Sequence, residues 1–331
     1  MEYVYKTTPY KHQDDVLRAS WSKESWAFFM EMGTGKSKVC IAPKGVYRNW
    51  ASLEIPAHMP DRVLDGASIS IWRPSPTKAL KVALSLLLVP ATGFRVLVMN
   101  VEALSTSKGQ RFLDGVLKAS RALLAIDEST AIKSPKASRT KALLKISQGA
   151  AYRRILTGFP VTQSPMDLWS QCRFLGPDLL GDAGESFFKF QHRYAVTARR
   201  TFGSHSFDQV VGYQNLEELS GLLKGFSSRA MKAECLDLPE KIYIQRNVTM
   251  TPDQSRVYSD LRDYALARID DEEFMTATNV MTQLLRMQQV LSGHTKSDSG
   301  EVIPIADNRL LELLLCLEET SGKAIIWSRF R

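Results

Sequence analysis

Cysteine is scarce and scattered: Cys40, Cys172, Cys235 and Cys316 form no Cys-x-x-Cys pair. That spacing argues against a zinc site or a disulfide scaffold and fits a reducing compartment. Long apolar runs are missing too. The most apolar stretch, Ala83 to Val89 (ALSLLLV), falls far short of the roughly 20 residues that span a bilayer. The amino terminus, MEYVYKTTPYKHQDD, is polar and charged, unlike a signal peptide. No internal repeat or low-complexity tract is visible. These absences lead to the expectation of a cytoplasmic, non-membrane protein.

The chain has 331 residues, enough for about two domains at roughly 100–200 residues each. Hydrophobic residues make up 44% and charged residues 24%, an ordinary globular balance. The net charge of +8 suits a polyanion such as nucleic acid. A basic surface that is merely solvated fits the same number.

Short apolar runs alternate with helical spacing. Strands are expected at Trp26–Met32, Phe94–Asn100, Ala122–Ile126 and Arg154–Thr157, and helices at Lys78–Leu88, Lys108–Ser120 and Ser138–Ile146. Such alternation implies an α/β fold, a parallel sheet covered by helices. After Pro160 the character changes. Pro165 to Val196 reads as mostly helical, Thr197 to Gln214 as a hairpin, and Leu238 to Thr251 as an exposed strand. Helices are expected at Pro252–Ile269, Glu272–Ser292 and Asp307–Glu319, a linker at Gly293–Ile305, and a last strand at Lys323–Ser328. The expected division is 1–164, 165–237 and 238–331.

The sharpest motif is Met30-Glu31-Met32-Gly33-Thr34-Gly35-Lys36-Ser37, between an expected strand and a helix start. Gly33 and Gly35 let the backbone curl so that N–H groups, including that of Thr34, face one anion. The new helix adds its positive end. Lys36 can reach the β- and γ-phosphates of ATP, and the Ser37 hydroxyl can hold Mg²⁺. Met30 stands where the generic phosphate loop has its first glycine, so a chance turn is the competing reading. A second motif, Leu123 to Asp127-Glu128, is an apolar strand ending in two carboxylates, where ligands gather in open α/β sheets. Asp127 can hold Mg²⁺ and Glu128 can deprotonate the attacking water. The alternative for this pair is capping of the next helix.

These motifs, in this order, resemble the Swi/Snf-type helicase-like ATPases of superfamily two, DEAD/DEAH-like, in a compact form similar to those of bacteria and phage. Tyr10-Lys11-His12-Gln13 resembles the upstream glutamine motif, which implies that Gln13 reads adenine. MEMGTGKS resembles motif I, and Ile41 to Trp50 motif Ia. Ala125 to Leu143 resembles motif II with its basic segment, and Ile155 to Leu175 motif III. DLPEKIYIQRNVTMTPDQSRVY and TQLLRMQQVLSGHT resemble the bridge to a second lobe, and KAIIWSRFR motif IV. The resemblance implies a RecA-like P-loop lobe, a mostly helical insertion and the start of a second RecA-like lobe. It further implies ATP with Mg²⁺ as ligands and double-stranded DNA as partner. Thr157 and Gly158 would couple ATP state to grip, and Lys44, Lys133 and Lys136 lie near the segments that face the DNA backbone. Each of these lysines reads equally as solvated surface. His192, His205, Arg193, Arg199 and Arg200 are assigned no role, and Trp169 and Phe174 are expected in the core.

Two departures bear on activity. Only Lys36 to about Cys40 separates motif I from the strand-like VCIAP, whereas a parallel crossover takes roughly 10–12 residues. The chain is also expected to end just after motif IV, before motifs V and VI. The competing readings are an ATP-dependent DNA translocase with weak turnover as given, a non-catalytic nucleic-acid-binding relative, and a strand-separating helicase or restriction-system motor.

Overall fold

Ser25–Met30 (SWAFFM) is β1, and five of its six residues are buried. It is the central run of a computed structural model that describes residues 6–34, 50–91, 93–202, 205–235, 237, 239–270, 277–297 and 299–330. The expected crossover at Lys36–Cys40 and the strand VCIAP lie outside the described residues. The chain divides into two compact units, Met1–Pro239 and Glu240–Arg331.

In the first unit the order is α1 (Lys11–Ser20), β1, β2 (Ser68–Ile71), α2 (Lys78–Leu86), β3 (Arg95–Val98), α3 (Ser107–Ala119), β4 (Leu123–Asp127) and α4 (Ser138–Ile146). There follow β5 (Tyr152–Thr157), α5 (Leu168–Leu175), α6 (Phe187–Tyr194), β6 (Ala195–Phe202), β7 (His205–Tyr213), α7 (Leu216–Lys224) and β8 (Ser227–Ala230). β4, β5, β1 and β8 form a four-stranded sheet in that order, parallel throughout. β2 and β3 make a separate parallel pair. A cavity of about 700 Å³ is lined by residues of β3, α3 and β4. This is the α/β arrangement expected from the alternation, in the RecA-like form that the resemblance implies.

Side chains alternate across a strand, and β1 uses both faces. Ala27 and Phe29 join Ile126, Ile155, Leu143, Phe174, Phe190 and Tyr194 in the larger core. Trp26, Phe28 and Met30 join Val16, Leu156 and Ala230 on the other face. A parallel sheet covered on both faces accounts for the unbroken apolar run. α5 has seven of its eight residues buried. Trp169 and Phe174 are core residues, as expected.

Arg154 is buried at the edge of this core, and its guanidinium donates to the carbonyls of Ser20 (2.9 Å), Lys23 (2.7 Å), Glu24 (2.9 Å) and Arg153 (2.9 Å). These bonds satisfy the carbonyls where α1 ends and β1 begins, groups a helix leaves orphaned.

The hairpin appears as β6 and β7, antiparallel, with an irregularity between Val196 and Thr197. Its root is held by Glu218, which accepts from the Arg193 guanidinium and from Tyr194 Oη at 2.9 Å. Burial and this bond push the Tyr194 phenol up to about 12.

The second unit contains α8 (Pro252–Asp270), α9 (Ala277–Leu291), an antiparallel pair β9 (His294–Lys296) and β10 (Val302–Pro304), and α10 (Arg309–Glu318). Three expectations change. The stretch read as a linker holds β9 and β10. Neither 239–251 nor 323–328 forms a strand, and Ile242, Tyr243, Ile244, Ile325 and Trp327 are 75–91% exposed. Alternation supplies a strand's two faces, but the ladder needs a paired neighbour. No such pairing involves these stretches among the described residues.

Candidate functional site: the carboxyl ends of the parallel strands

Strand register brings the motif residues to one edge. Phe29 lies opposite Thr157, and Asp127 opposite Leu156. The end of β1, the Asp127-Glu128 pair and the Thr157-Gly158 turn therefore leave the sheet side by side, at the edge where open α/β sheets bind ligands.

The described part of the glycine-containing loop after β1, expected to cradle phosphate, is tightly bonded. Gly33 has φ +87°, a left-handed conformation that strains other residues. Thr34 is buried, and its hydroxyl donates to the Glu31 carbonyl at 2.8 Å. The Thr34 carbonyl in turn accepts from His12 Nε2 (2.8 Å) and Gln13 Nε2 (3.2 Å). Gln13 Oε1 accepts from the Tyr10 N–H at 3.0 Å, so this buried amide bridges the start of α1 and the loop. Gly35, Lys36, Ser37 and Lys44 lie outside the described residues.

Asp127 is buried, and its Oδ1 accepts from the Glu128 N–H at 2.9 Å. Glu128 has φ +46°, a strained conformation for a residue with a side chain. Its carboxylate accepts a long bond, 3.4 Å, from Thr157 Oγ1, and that same oxygen accepts from the Phe159 N–H at 3.2 Å. Gly158 packs on the loop so closely that an added Cβ would lie 3.4 Å from Glu31 Cα, the Met30 carbonyl oxygen and the Met32 nitrogen. Thr157 and Gly158 thus touch both the acidic pair and the phosphate loop.

A buried polar relay lies behind this edge. Ser129 Oγ donates to Gln171 Oε1 at 2.6 Å, and Gln171 Nε2 donates to the carbonyls of Pro160 and Asp167, both at 2.8 Å. Asp167 Oδ2 accepts from Thr162 Oγ1 (2.7 Å) and the N–H groups of Thr162 and Gln163 (both 3.0 Å). Burial pushes the Asp167 carboxyl up. The bonds from Thr162 and Gln163 and the Lys133 ammonium at 3.6 Å outweigh it and hold the group below its usual range. Lys133 is therefore engaged within the protein, whereas Lys136 is exposed.

Glu31 and Lys232 were not singled out in the sequence. The Glu31 carboxylate accepts from the Lys232 N–H at 2.6 Å, and Lys232 Cε would lie 3.2 Å from a Cβ on Gly33. β8 delivers this lysine, and its SSRA sequence carries no strand-like apolar pattern. Ser129 could have been noticed as the residue after the acidic pair. Gln171 and Arg154 had no signal beyond being polar within apolar segments.

The donor set suits a nucleotide with a hard cation. A buried carboxylate at a strand end is an oxygen ligand of the type Mg²⁺ prefers, and a curled backbone like that at Gly33 can turn N–H groups toward an anion. Among the described residues no group of three His, Cys, Asp or Glu side chains could hold a metal, and no helix is long and apolar enough to cross a membrane.

Comparison with known proteins agrees with this geometry. The chain is 30% identical over 170 residues to human TATA-binding protein-associated factor 172, covering 51% of this chain and 9% of that protein. It is 32% identical over 151 residues to mouse DNA annealing helicase and endonuclease ZRANB3, covering 45% and 14%. With an uncharacterized ATP-dependent helicase of Mycoplasma pneumoniae it shares 25% over 206 residues, covering 62% and 18%. The chain thus spans less than a fifth of each of these relatives. A family model described as the SNF2-related domain matches residues 19–296. The chain belongs to the SNF2-related domain family, the Swi/Snf-type helicase-like ATPases of superfamily two.

Proposed function

We propose that this chain binds ATP with Mg²⁺ and hydrolyses it as a motor acting on double-stranded DNA. The observation that carries the reading is the meeting, at one sheet edge, of the phosphate loop, the acidic pair and the Thr157-Gly158 turn. Two of the relatives, an annealing helicase and an ATP-dependent helicase, support the same class.

In this reading the backbone from Gly33 through Thr34 to Gly35 cradles the phosphates, and Lys36 binds the β- and γ-phosphate oxygens. Ser37 and Asp127 are the residues that would hold Mg²⁺, which when bound neutralises phosphate charge. Glu128 orients the attacking water and takes its proton. Thr157 senses that carboxylate while Gly158 rides on the loop, so a change at the phosphates is felt in motif III. Gln13 joins adenine recognition to the loop through Thr34. Lys44, Lys133 and Lys136 contact the DNA backbone, Lys133 by exchanging its internal partner for a phosphate. Residues 1–164 form the ATP-binding lobe, 165–237 an extension, and 238–331 the bridge and the start of a second lobe.

The test compares Lys36→Ala with Glu128→Gln. Lys36→Ala should weaken binding of a labelled ATP analogue. Glu128→Gln should bind nearly normally and lose hydrolysis, because it keeps the shape and removes the base. If both variants bind and turn over alike, the role assignment is wrong. Nucleotide binding that is absent from the unmodified protein, with DNA binding retained, would favour a non-catalytic nucleic-acid-binding role.

A further inference from the structure

A second concentration of positive charge lies outside the strand-end site. α4 presents Lys141 and Lys145 four residues apart, so both stand on one helix face. Lys136 precedes the helix, and Arg173 comes from α5. All four line an open cavity of about 560 Å³ together with Trp169 and the start of α6.

Three features make it more than a solvated face. First, no salt bridge among the described residues involves Lys136, Lys141 or Lys145. Like charges at i,i+4 destabilise a helix unless something neutralises them. Glu185, the acid among the described lining residues, is already paired with Lys189 at 2.5 Å. Second, Trp169 is 92% buried, and its indole nitrogen has no acceptor among the described residues. A buried donor without a partner is costly, and the residue that carries it lines the cavity. Third, α6 begins at this cavity with Ser186 as its cap, adding the positive end of a helix.

We propose that this cavity seats the phosphodiester backbone of nucleic acid, as a contact separate from the ATP site. The inference rests on the DNA-motor reading and adds Lys141, Lys145 and Arg173 to the grip. The seat is built from point charges, with no base-reading arrangement, so it fixes position and ignores sequence. The open shape admits a polymer backbone running through it.

The experiment uses the full chain and Lys141→Gln/Lys145→Gln. Both lysines are exposed and outside the nucleotide site, so the fold and ATP-analogue affinity should be unchanged. Binding of a short duplex and, separately, of inorganic tripolyphosphate is measured from low to moderate salt. The unmodified protein should bind unrelated duplexes alike. The double variant should lose about 1.8 from the log–log salt slope, about 0.9 per lysine. An unchanged slope and affinity in the variant, with duplex binding intact in the parent, would overturn the seat and leave the DNA reading standing. A parent that binds no duplex removes the DNA reading. If such a parent binds tripolyphosphate, and only while the lysines are present, the seat belongs to a free polyphosphate and the proposal fails as stated. No binding of either anion also overturns it.

Discussion

The two units use similar apolar content to different effect. In the first, Phe28, Ile155, Leu156, Phe174, Phe190 and Tyr194 are almost fully buried between helices and sheet. In the second, α10 (RLLELLLCLE) has no buried residue, and Leu310, Leu311, Leu314 and Leu315 are 48–61% exposed. Val290 is the apolar residue buried there among those described. Helical periodicity is present in both units. The first has a parallel sheet as a surface to pack on, while α10 packs on no equivalent among the described residues of its unit. An apolar stripe proposes a contact, and a second layer has to supply it.

The largest test of this contrast is truncation at matched positions. Phe174→Ala should cost about 3–5 kcal/mol, because the cavity left between α5 and the sheet cannot collapse fully. Leu314→Ala should stay within about 0.5 kcal/mol. Urea unfolding followed by tryptophan fluorescence and circular dichroism checks both, and equal costs would erase the distinction. Next comes Gly109→Ala. An added Cβ there would lie 2.2 Å from the Ala103 carbonyl oxygen, so the turn before α3 must open. A loss of about 1–3 kcal/mol is expected despite alanine's better helix propensity.

An effect of similar size is expected at the relay. Gln171→Leu leaves Ser129 without its acceptor and two carbonyls without their donor, so about 1–3 kcal/mol should be lost. The acid limb of stability should also depend on Asp167. Its folded value lies below the unfolded one, so its contribution is present above the unfolded value and fades as pH falls through the folded value. Asp167→Asn should flatten that part of the stability–pH curve. A curve of unchanged shape would show that the Asp167 cluster stores no stability.

The sequence made the sheet legible where apolar runs are continuous: β1, β4 and β5 stand where FFM, LLAI and RILT required. α4 begins and ends at the expected residues, Ser138 and Ile146, and the hairpin lies where Gly and Ser cluster. β8 was not legible. Ser227–Ala230 is a strand because Phe28 to Met30 offers it a ladder, and pairing is a property of two segments. The same limit explains the stretches at 239–251 and 323–328, which have strand-like sequences and no partner. In the site, the acidic pair and the motif III turn could be read from residue order. The bridging of Thr34 by His12 and Gln13 could not, because it joins segments about 20 residues apart through a carbonyl that any sequence would possess.

A motor of the proposed kind must bear load, and Arg154 braces one joint that would carry it. Its fork ties the carbonyls of Ser20, Lys23 and Glu24, where α1 turns into β1, to β5 three residues before Thr157. Tension arriving through α1 meets these attachments in parallel. They must break together, which makes the joint stiff in shear. A neutral side chain of equal size in that position would leave the shape intact and the joint compliant, so force on α1 would be spent stretching the turn before it reached the phosphate end of the sheet.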